Sequence, residues 1–256
     1  MASRKCQIVD MNNMHWASPG LCMSMHESEL TSLKSMAALL QLGSSLLPIG
    51  SFSYSQGFER AVHDGWISDQ ASASAWIQSH WDAWFAPVEL QALSQAMMQP
   101  TVHLPTLHTQ FIATRDSREA IEECLQMGAA LRRWLVSLHV DDKGWDTKQI
   151  ESYQWLLSLS DRPAAPIAFA VCARIMGLGR LEALMAWAWS WLENQSQCAI
   201  KIIPLGQSAG QQLLHRLLPQ TLHRIDCELL ACAGFAPLAA IASMRHERQY
   251  SRLYRS

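Results

Sequence analysis

The sequence predicts an all-α fold, a single-domain bundle of roughly ten helices with flexible ends. Apolar residues recur at helical spacing almost without interruption from residue 31 onwards, and these runs leave no room for alternating strand and helix units. No repeat, low-complexity tract or clear linker divides the 256 residues, so one domain is the simpler count. We therefore expect a flexible extension over residues 1–30, a helical domain over 31–240 and a basic C-terminal tail over 241–256.

The first predicted helix begins behind Thr31. Leu33, Met36 and Leu40 follow at i, i+3 and i+7, which is the spacing of one helix face. The residues before it have no apolar periodicity, and we expect them to be flexible. That extension contains three side chains of the kind that bind soft metals, at a spacing that matches no recognised site: His15, Cys22 and His26.

Two prolines divide the next predicted helices. Asp69 is a predicted N-cap for a tryptophan-rich helix that ends at Ala86. Pro87 suits the first turn of a helix, so we expect a new helix to begin there. Pro100 is expected to end that helix, because proline cannot continue it.

The second half of the chain is predicted to form longer helices. Asp116 and Glu119 have the spacing of a capping box, and a run of apolar residues on one face follows them. After a polar turn around Asp141, five further helices are expected: Thr147–Ser160, Pro163–Met176, Leu181–Ile203, Gln207–Leu218 and Thr221–Ala233.

One segment carries a conflicting signal. Trp187, Trp189 and Trp191 alternate with small residues, as they would in a strand. The flanking residues are good helix formers and the segment is too long for a strand, so a helix is favoured. A helix with tryptophans on several faces must be surrounded by other elements, which predicts a position at the centre of the bundle.

Composition narrows the function classes. The net charge is −2 and only 16% of the residues are charged, whereas a nucleic-acid-binding protein normally has a clear basic excess. The seven cysteines form no C-x-x-C pair, no secretory signal precedes them, and no apolar run is long enough to span a membrane. We expect a reduced, cytoplasmic protein that covers part of its apolar surface by forming oligomers.

The stretch "PIGSFSYSQGFE", residues 48–59, is the first candidate for chemistry. Ser55 and the two residues after it look like half of a nucleophile elbow, but Ser53 stands where the elbow needs a glycine. Ser53 and Gln56 instead have the spacing of a capping box, which predicts a helix start with Gly50 at a positive φ. The sequence therefore predicts no catalytic serine here.

The other signals of chemistry are missing as well. The ten histidines show neither the H-E-x-x-H spacing of a zinc site nor a pairing with a carboxylate. No P-loop motif is present, so binding of a nucleoside triphosphate through such a loop is not expected. We predict no catalytic residue, no metal ligand and no directly bound cofactor.

The last residues, "SMRHERQYSRLYRS", are more basic than the rest of the chain, with four arginines against one acidic side chain. A frayed basic end is how most chain termini behave. Arginine and tyrosine are also enriched at interface anchors, and Tyr250 and Tyr254 would share one helix face. A frayed end and a partner-docking tail both stay open at this point.

Three longer blocks and one shorter region, "LQMGAALRRWL" (residues 125–135), carry a family resemblance and occur in the family's order. "LLQLGSSLLPIGSFSYSQGFERAVHDGWI" resembles the N-terminal block of the UreF-type urease accessory proteins. "WAWSWLENQSQCAIKIIPLGQSAGQQLL" resembles their central block, and "MRHERQYSRLYRS" resembles their C-terminal tail. The matches extend from about Leu33 to Ser256, which is nearly the whole chain outside the extension.

The resemblance implies an all-α homodimer that is an adaptor and not an enzyme. Its implied partners are a UreD-type accessory protein (also called UreH), a UreG-type GTPase and apo-urease, and the complex handles nickel and GTP, with a tunnel as the proposed nickel route. The implied partner-binding residues are Pro48, Tyr54, Gln56, Glu59, Arg245, Glu247, Tyr250, Arg252, Leu253 and Arg255. Three further polar residues are implied at an interface or along the tunnel: Lys201, Gln207 and Gln211.

Three mechanisms remain as alternatives. An adaptor would bind one nucleotide state of the GTPase more tightly and so couple nickel release to hydrolysis. A GTPase activator would supply an arginine in trans, and Arg252 and Arg255 are the candidates. A stand-alone hydrolase would use Ser55 or a histidine, although the motifs of such an enzyme are missing.

Overall fold

The computed structural model of the protein describes residues 27–138, 143–159, 161–226 and 234–256, and every regular element in those ranges is a helix, as the sequence predicts. The α-helices are α1 (Glu27–Leu42), α2 (Phe58–His63), α3 (Gln70–His80), α4 (Gln91–Met98), α5 (Leu104–Ala113), α6 (Arg118–Ser137), α7 (Thr147–Ser158), α8 (Ala165–Ile175), α9 (Arg180–Ile202), α10 (Gln207–Asp226) and α11 (Pro237–His246). Three of the sequence predictions lie wholly or partly outside the described residues: the extension with His15, Cys22 and His26, the turn at Asp141, and the end of the helix over 221–233.

Helix α9 occupies the centre of the bundle. It packs against α1, α2, α3, α4, α8 and α10. Trp187 and Trp191, one turn apart, are both buried; Trp187 contacts Phe169 with a ring-centroid distance of 4.7 Å, and Trp191 stacks on Phe85 at 4.5 Å. The central position predicted from the tryptophans is therefore confirmed.

Helix α8 forms the most apolar layer of the core, because every one of its residues is buried. It packs against α4, α6 and α7. The approach of α6 is so close that a Cβ atom at Gly128 would lie 1.9 Å from the carbonyl oxygen of Pro163. Only glycine fits at that crossing with the backbones as they stand.

The predicted helix break at Pro87 is wrong. The chain is helical from Gln70 to Met98, and Trp81–Leu90 forms a π-helical stretch with Pro87 inside it. Proline cannot donate to the ladder, and its ring crowds the carbonyl four residues earlier, which here is that of Ala83. A π-helical turn changes the hydrogen-bond pattern around the proline. Gly234 packs closely against the Ala83 carbonyl: a Cβ atom added to Gly234 would lie 2.6 Å from the Ala83 oxygen.

A second predicted break, at Leu218, is also wrong. Helix α10 continues through Pro219 to Asp226. Apolar side chains on both sides of the proline are buried, including Leu217 and Ile225. Their burial against the bundle stabilises the helix by more than the missing backbone hydrogen bond costs.

Two predicted helix caps can be compared with the structure, and one of them is displaced by one residue. The carboxylate of Asp69 accepts a hydrogen bond from the Ser72 N–H at 2.8 Å, so the predicted cap of α3 is confirmed. Helix α6 is capped by Ser117, whose Oγ accepts from the Ala120 N–H at 3.0 Å. The predicted cap at Asp116 is therefore one residue too early.

The end of the chain differs from the predicted tail. Helix α11 crosses residue 240, so the expected boundary between domain and tail falls inside a helix. Residues 247–256, which we call the C-terminal segment, fold back against α2 and α6 instead of extending away. The physical reason is a set of buried hydrogen-bond acceptors on those two helices.

Candidate functional site

Left-handed residues shape the loop between α1 and α2. The angle φ is 75° at Gly50, 55° at Gln56 and 82° at Gly57. The predicted positive φ at Gly50 is confirmed. The consecutive pair Gln56 and Gly57 turns the chain into α2, for which Gly57 is the N-cap.

The predicted capping box of Ser53 and Gln56 is wrong, because the amide of Gln56 has tertiary partners. Its Nε2 donates to Glu123 Oε1 at 2.6 Å, and its Oε1 accepts from the Trp191 Nε1–H at 2.6 Å. Gln56 therefore connects the loop to α6 and α9.

Ser55 has a structural role. It is fully buried, its Oγ donates to the carbonyl oxygen of Ser256 at 2.6 Å, and the Glu59 N–H donates to that Oγ at 3.3 Å. A nucleophile elbow requires a serine that is open to substrate. The geometry does not support a hydrolase at Ser55.

A buried carboxylate holds the C-terminal segment. Glu59 accepts hydrogen bonds from the backbone N–H groups of Leu253 and Tyr254 at 2.8 and 2.9 Å, and from Gln249 Nε2 at 3.2 Å. The Nε2 of His246 lies 3.3 Å from the same carboxylate. Hydrogen bonds to an ionised group are stronger than neutral ones, and more so away from water. Glu59 is therefore a fixed centre of the fold and not a surface group.

Glu119 on α6 supplies the second anchor. It accepts from Arg252 Nη1 at 2.5 Å and lies 2.8 Å from His246 Nδ1. Arg252 also donates to the carbonyl oxygens of Gln249 and Glu247, so its guanidinium is engaged within the chain. We call this set the C-terminal clasp: Glu59, Glu119, His246, Gln249 and Arg252.

Beside the clasp lies a groove of about 390 Å³ that we call the arginine groove. Its lining residues are Pro48, Ile49, Gly50, Tyr54, Gln126, Ala129, Ala130, Arg133, Arg162 and Arg255. Three of them are arginines, and none of these lining residues is acidic. The groove therefore brings together the loop before α2, the middle of α6, the loop before α8 and the C-terminal segment.

The floor of the groove is a buried tyrosine. The side chain of Tyr54 is only 5% exposed, and its hydroxyl donates to Gln126 Oε1 at 2.7 Å. Burial raises the pKa of Tyr54, so the phenol remains a donor. Arg255 Nη1 lies 3.4 Å from the same oxygen of Gln126. The family resemblance implies that Tyr54 is presented to a partner, whereas here its ring is buried and supports the groove from below.

One lining residue, Arg162, is held by a bidentate ion pair with Glu122, which is not itself a lining residue. Arg162 donates to both carboxylate oxygens of Glu122 at 2.5 and 2.8 Å. The hydrogen bonds from Arg162 and then from Gln126 lower the pKa of Glu122 to about 2. Arg133, one turn along α6 from Ala129, is exposed and makes no hydrogen bond or ion pair with any described residue.

A second polar cluster lies deeper, around a cavity of about 30 Å³. Glu89 accepts from the Trp187 Nε1–H at 3.0 Å and faces Arg115 Nη1 at 3.5 Å. Burial raises the pKa of Glu89 to about 7, although Arg115 opposes the shift. Burial also raises the pKa of Glu123, which accepts from Ser256 Oγ at 2.7 Å. The cavity is large enough for one water molecule.

The predicted partner-binding residues divide into two groups. Four are exposed: Pro48 and Arg255, which line the groove, and Tyr250 and Leu253 on the C-terminal segment. The other six make contacts within the chain: Tyr54, Gln56, Glu59, Arg245, Glu247 and Arg252. Arg245 pairs with Asp64 at 2.9 Å, and Glu247 accepts from the Glu119 N–H at 3.2 Å.

The three residues predicted at an interface or tunnel lie elsewhere. Lys201, at the end of α9, and Gln207 and Gln211, at the start of α10, are exposed. None of them lines the arginine groove or the interior cavity. Their assignment to an interface stays a prediction.

Sequence reasoning missed three groove residues, Gln126, Arg133 and Arg162. A signal for two of them was available, because Gln126, Ala129, Ala130 and Arg133 recur at i, i+3, i+4 and i+7 and so share a face of α6. That face has polar ends and a small apolar centre, which is unusual for a solvated face. Arg162 carries no such local signal.

Two searches of the described residues gave negative results. No group of three or more His, Cys, Asp or Glu side chains in those ranges is arranged to hold a metal ion. Among the helices of the same ranges, none combines the length and the apolar content needed to cross a bilayer.

Comparison with known proteins gives consistent matches. The family model UreF matches residues 67–218. Urease accessory protein UreF of Pseudomonas fluorescens Pf-5 is 40% identical over 229 residues, covering 86% of this chain and 98% of that protein. The protein of the same name from Methylibium petroleiphilum is 37% identical, covering 88% and 96%. That from Methylobacillus flagellatus is 35% identical, covering 89% and 100%.

Proposed function

This chain belongs to the UreF family of urease accessory proteins, and on that premise we propose that it is an adaptor for nickel insertion into urease. It dimerises and bridges a UreD-type (UreH) accessory protein and a UreG-type GTPase. The resulting complex acts on apo-urease in the cytoplasm. Nickel and GTP are handled by the complex, and GTP is hydrolysed by the partner.

The arginine groove is the observation that supports this proposal. Pro48 and Tyr54 come from the N-terminal block of the family resemblance and Arg255 from its C-terminal block, yet all three line one groove. Residues from opposite ends of a chain that meet at an open surface are typical of an interaction site. Tyr250 and Leu253 are exposed on the same C-terminal segment as Arg255. We assign this surface to the GTPase.

A separate surface supports the dimer. Leu33, Met36 and Leu40 are each at least half exposed and share one face of α1. Monomeric proteins rarely expose a continuous apolar stripe, whereas oligomers bury it. We assign this stripe to contact with a second copy.

Light scattering coupled to size-exclusion chromatography tests the proposal. The protein is run alone, with the UreD-type protein, with the UreG-type GTPase and with both. We expect a homodimer that binds both partners, and we expect Arg255→Glu to lose the GTPase while it keeps the UreD-type protein. Arg216→Glu on α10 is the matched control, since that arginine is exposed outside the groove. A monomer that binds neither partner would contradict the proposal.

A point variant is preferable to removal of the C-terminal segment. Truncation would remove the hydrogen bonds from Gln249, Leu253 and Tyr254 to the Glu59 carboxylate and leave only the contact with His246. Loss of these bonds at a buried group destabilises the fold, so loss of binding after truncation would have two explanations.

The second candidate function is GTPase activation by an arginine supplied in trans. Arg252 donates to the Glu119 carboxylate and to two carbonyl groups, whereas the guanidinium of Arg255 has one longer hydrogen bond, of 3.4 Å to Gln126, so Arg255 is the better candidate. Arg255→Lys keeps the positive charge and removes the planar guanidinium. An adaptor should retain the GTP hydrolysis rate of the complex within about twofold. An activator should lose about 10³-fold in a single-turnover assay at unchanged binding.

A further inference from the structure

We propose that the arginine groove binds an acidic peptide segment of the GTPase, with a carboxylate of that segment held between Arg133 and Arg162. This inference rests on the proposed function and adds the chemistry of the partner. It assigns Arg133, which is not among the partner-binding residues that the family resemblance implies, as the residue that selects the partner.

Charge is the first argument. The chain as a whole has a net charge of −2, yet three arginines line this one groove, and among the described residues only Arg162 of the three is paired with a carboxylate, that of Glu122. Arg133 is exposed and has no described partner, so its five N–H donors are available. A positive groove of this kind speeds the encounter with a negatively charged partner and disfavours positively charged ones.

Orientation is the second argument. Glu122 accepts two hydrogen bonds from Arg162 in a bidentate pair, and this pair fixes the plane of that guanidinium. The remaining donors of Arg162 are therefore pre-oriented. Pre-orientation lowers the entropy that binding costs, and the fork geometry of arginine matches a carboxylate.

The walls favour a peptide over a free phosphate. Pro48, Ile49, Ala129 and Ala130 form an apolar lining that suits the aliphatic part of an acidic side chain and its backbone. No atom lies within 4 Å of a Cβ built on Gly50, so this end of the groove is open to a chain that continues beyond it. The carboxylate of Glu122 beside Arg162 repels a doubly charged phosphate more than a singly charged carboxylate.

Charge reversal at Arg133 tests the inference in the full complex. Binding of the UreG-type GTPase to the full-length protein and its UreD-type partner is measured by biolayer interferometry at about 50 and 300 mM salt. We expect Arg133→Ala to raise the dissociation constant about tenfold and Arg133→Glu to raise it about a hundredfold. In both variants the dissociation constant should depend less on salt than in the wild type. Arg216→Glu is the matched control and should leave the affinity unchanged.

Two competitors identify the source of the negative charge. We expect a hexaglutamate peptide to displace the GTPase from the wild-type protein, and inorganic pyrophosphate at equal concentration to leave it bound. The inference is overturned if pyrophosphate competes and hexaglutamate does not, or if Arg133→Glu binds like the wild type. Failure of the proposed function looks different, since the wild-type protein would then bind neither partner and this inference would fall with it.

Discussion

Helix α6 is held at two places by opposite kinds of interaction. Around Gly128 it packs against α8, whose residues are all buried and almost all apolar. Near its start, Glu119 joins the C-terminal clasp, where two carboxylates receive four of the hydrogen bonds that hold residues 247–256. The α8 contact is a sum of many weak dispersion terms, each of about 0.1–0.2 kcal/mol. The clasp depends on a few charged and polar atoms. Its stability should therefore change when a charge is removed, whereas the stability of the α8 contact should not.

The largest expected effect comes from the apolar side of this comparison. Phe169→Ala removes a fully buried ring that contacts Trp187, so we expect the free energy of unfolding to fall by about 3–5 kcal/mol. Urea denaturation monitored by circular dichroism measures this loss. Leu157→Ala on α7 is the control, because that side chain is 46% exposed and should cost far less. A loss at residue 169 no larger than the control's would contradict the view of α8 as the main core layer.

The next effect is a pH dependence of stability that is caused by Glu89, which lines the interior cavity. The pKa of Glu89 is raised from its usual 4.5 to about 7, so the folded state binds more protons than the unfolded state between those values. The free energy of unfolding should therefore fall as pH rises through that window, by about 2–3 kcal/mol from this group.

The variant Glu89→Gln isolates that contribution. Its stability should lack this part of the decline, so the difference between variant and wild type should grow from pH 5 to pH 8. Denaturation midpoints in a pH series measure it. Parallel curves for the two proteins would mean that Arg115 keeps Glu89 ionised in the fold, against the expectation.

A smaller and more local effect is expected at the clasp. Glu59→Gln keeps the shape of the side chain but replaces one acceptor oxygen by an NH₂ donor, which would then face the N–H of Leu253 or of Tyr254. We expect the free energy of unfolding to fall by about 2 kcal/mol. Hydrogen exchange should show lost protection in residues 249–256 and little change in α8. Glu151→Gln, an exposed carboxylate on α7, is the control. Uniform loss of protection across both regions would erase the distinction between them.

The smallest effect is expected at the wall of the arginine groove. Glu122→Gln breaks the pair with Arg162, but both side chains are more than 40% exposed, so water screens the interaction. We expect a loss of about 0.5 kcal/mol at low salt that disappears near 0.5 M sodium chloride. A loss above about 2 kcal/mol would place this pair with the clasp instead of with ordinary surface pairs.

The helical class and the core could be predicted from the sequence because they depend on local periodicity. The spacing of apolar residues in α6 and the three tryptophans of α9 indicate burial without knowledge of the partner helix. Caps such as Asp69 act within four residues of their own position. The breaks expected at Pro87 and Pro219 failed because packing against distant elements outweighed a local preference.

The clasp and the groove could not be derived in this way. Gln56 has the spacing of a cap, yet its amide pairs with Glu123 and Trp191, which lie 67 and 135 residues further along the chain. Arg162 and Arg255 meet only after α6 and the C-terminal segment have packed. The family resemblance identified Pro48, Tyr54 and Arg255 as a set, but it gave no indication that Tyr54 would lie beneath the surface.

The contact at Gly128 also constrains the order in which the sequence can change. A side chain cannot be accommodated there until the backbone at Pro163 and Ala164 has moved, since a Cβ atom would overlap the Pro163 carbonyl. A mutation at 128 is therefore tolerated only after an earlier change in the loop before α8. The reverse order passes through an intermediate with a disrupted helix crossing. The path of sequence drift in this protein is directional at that crossing, even where both end states could fold.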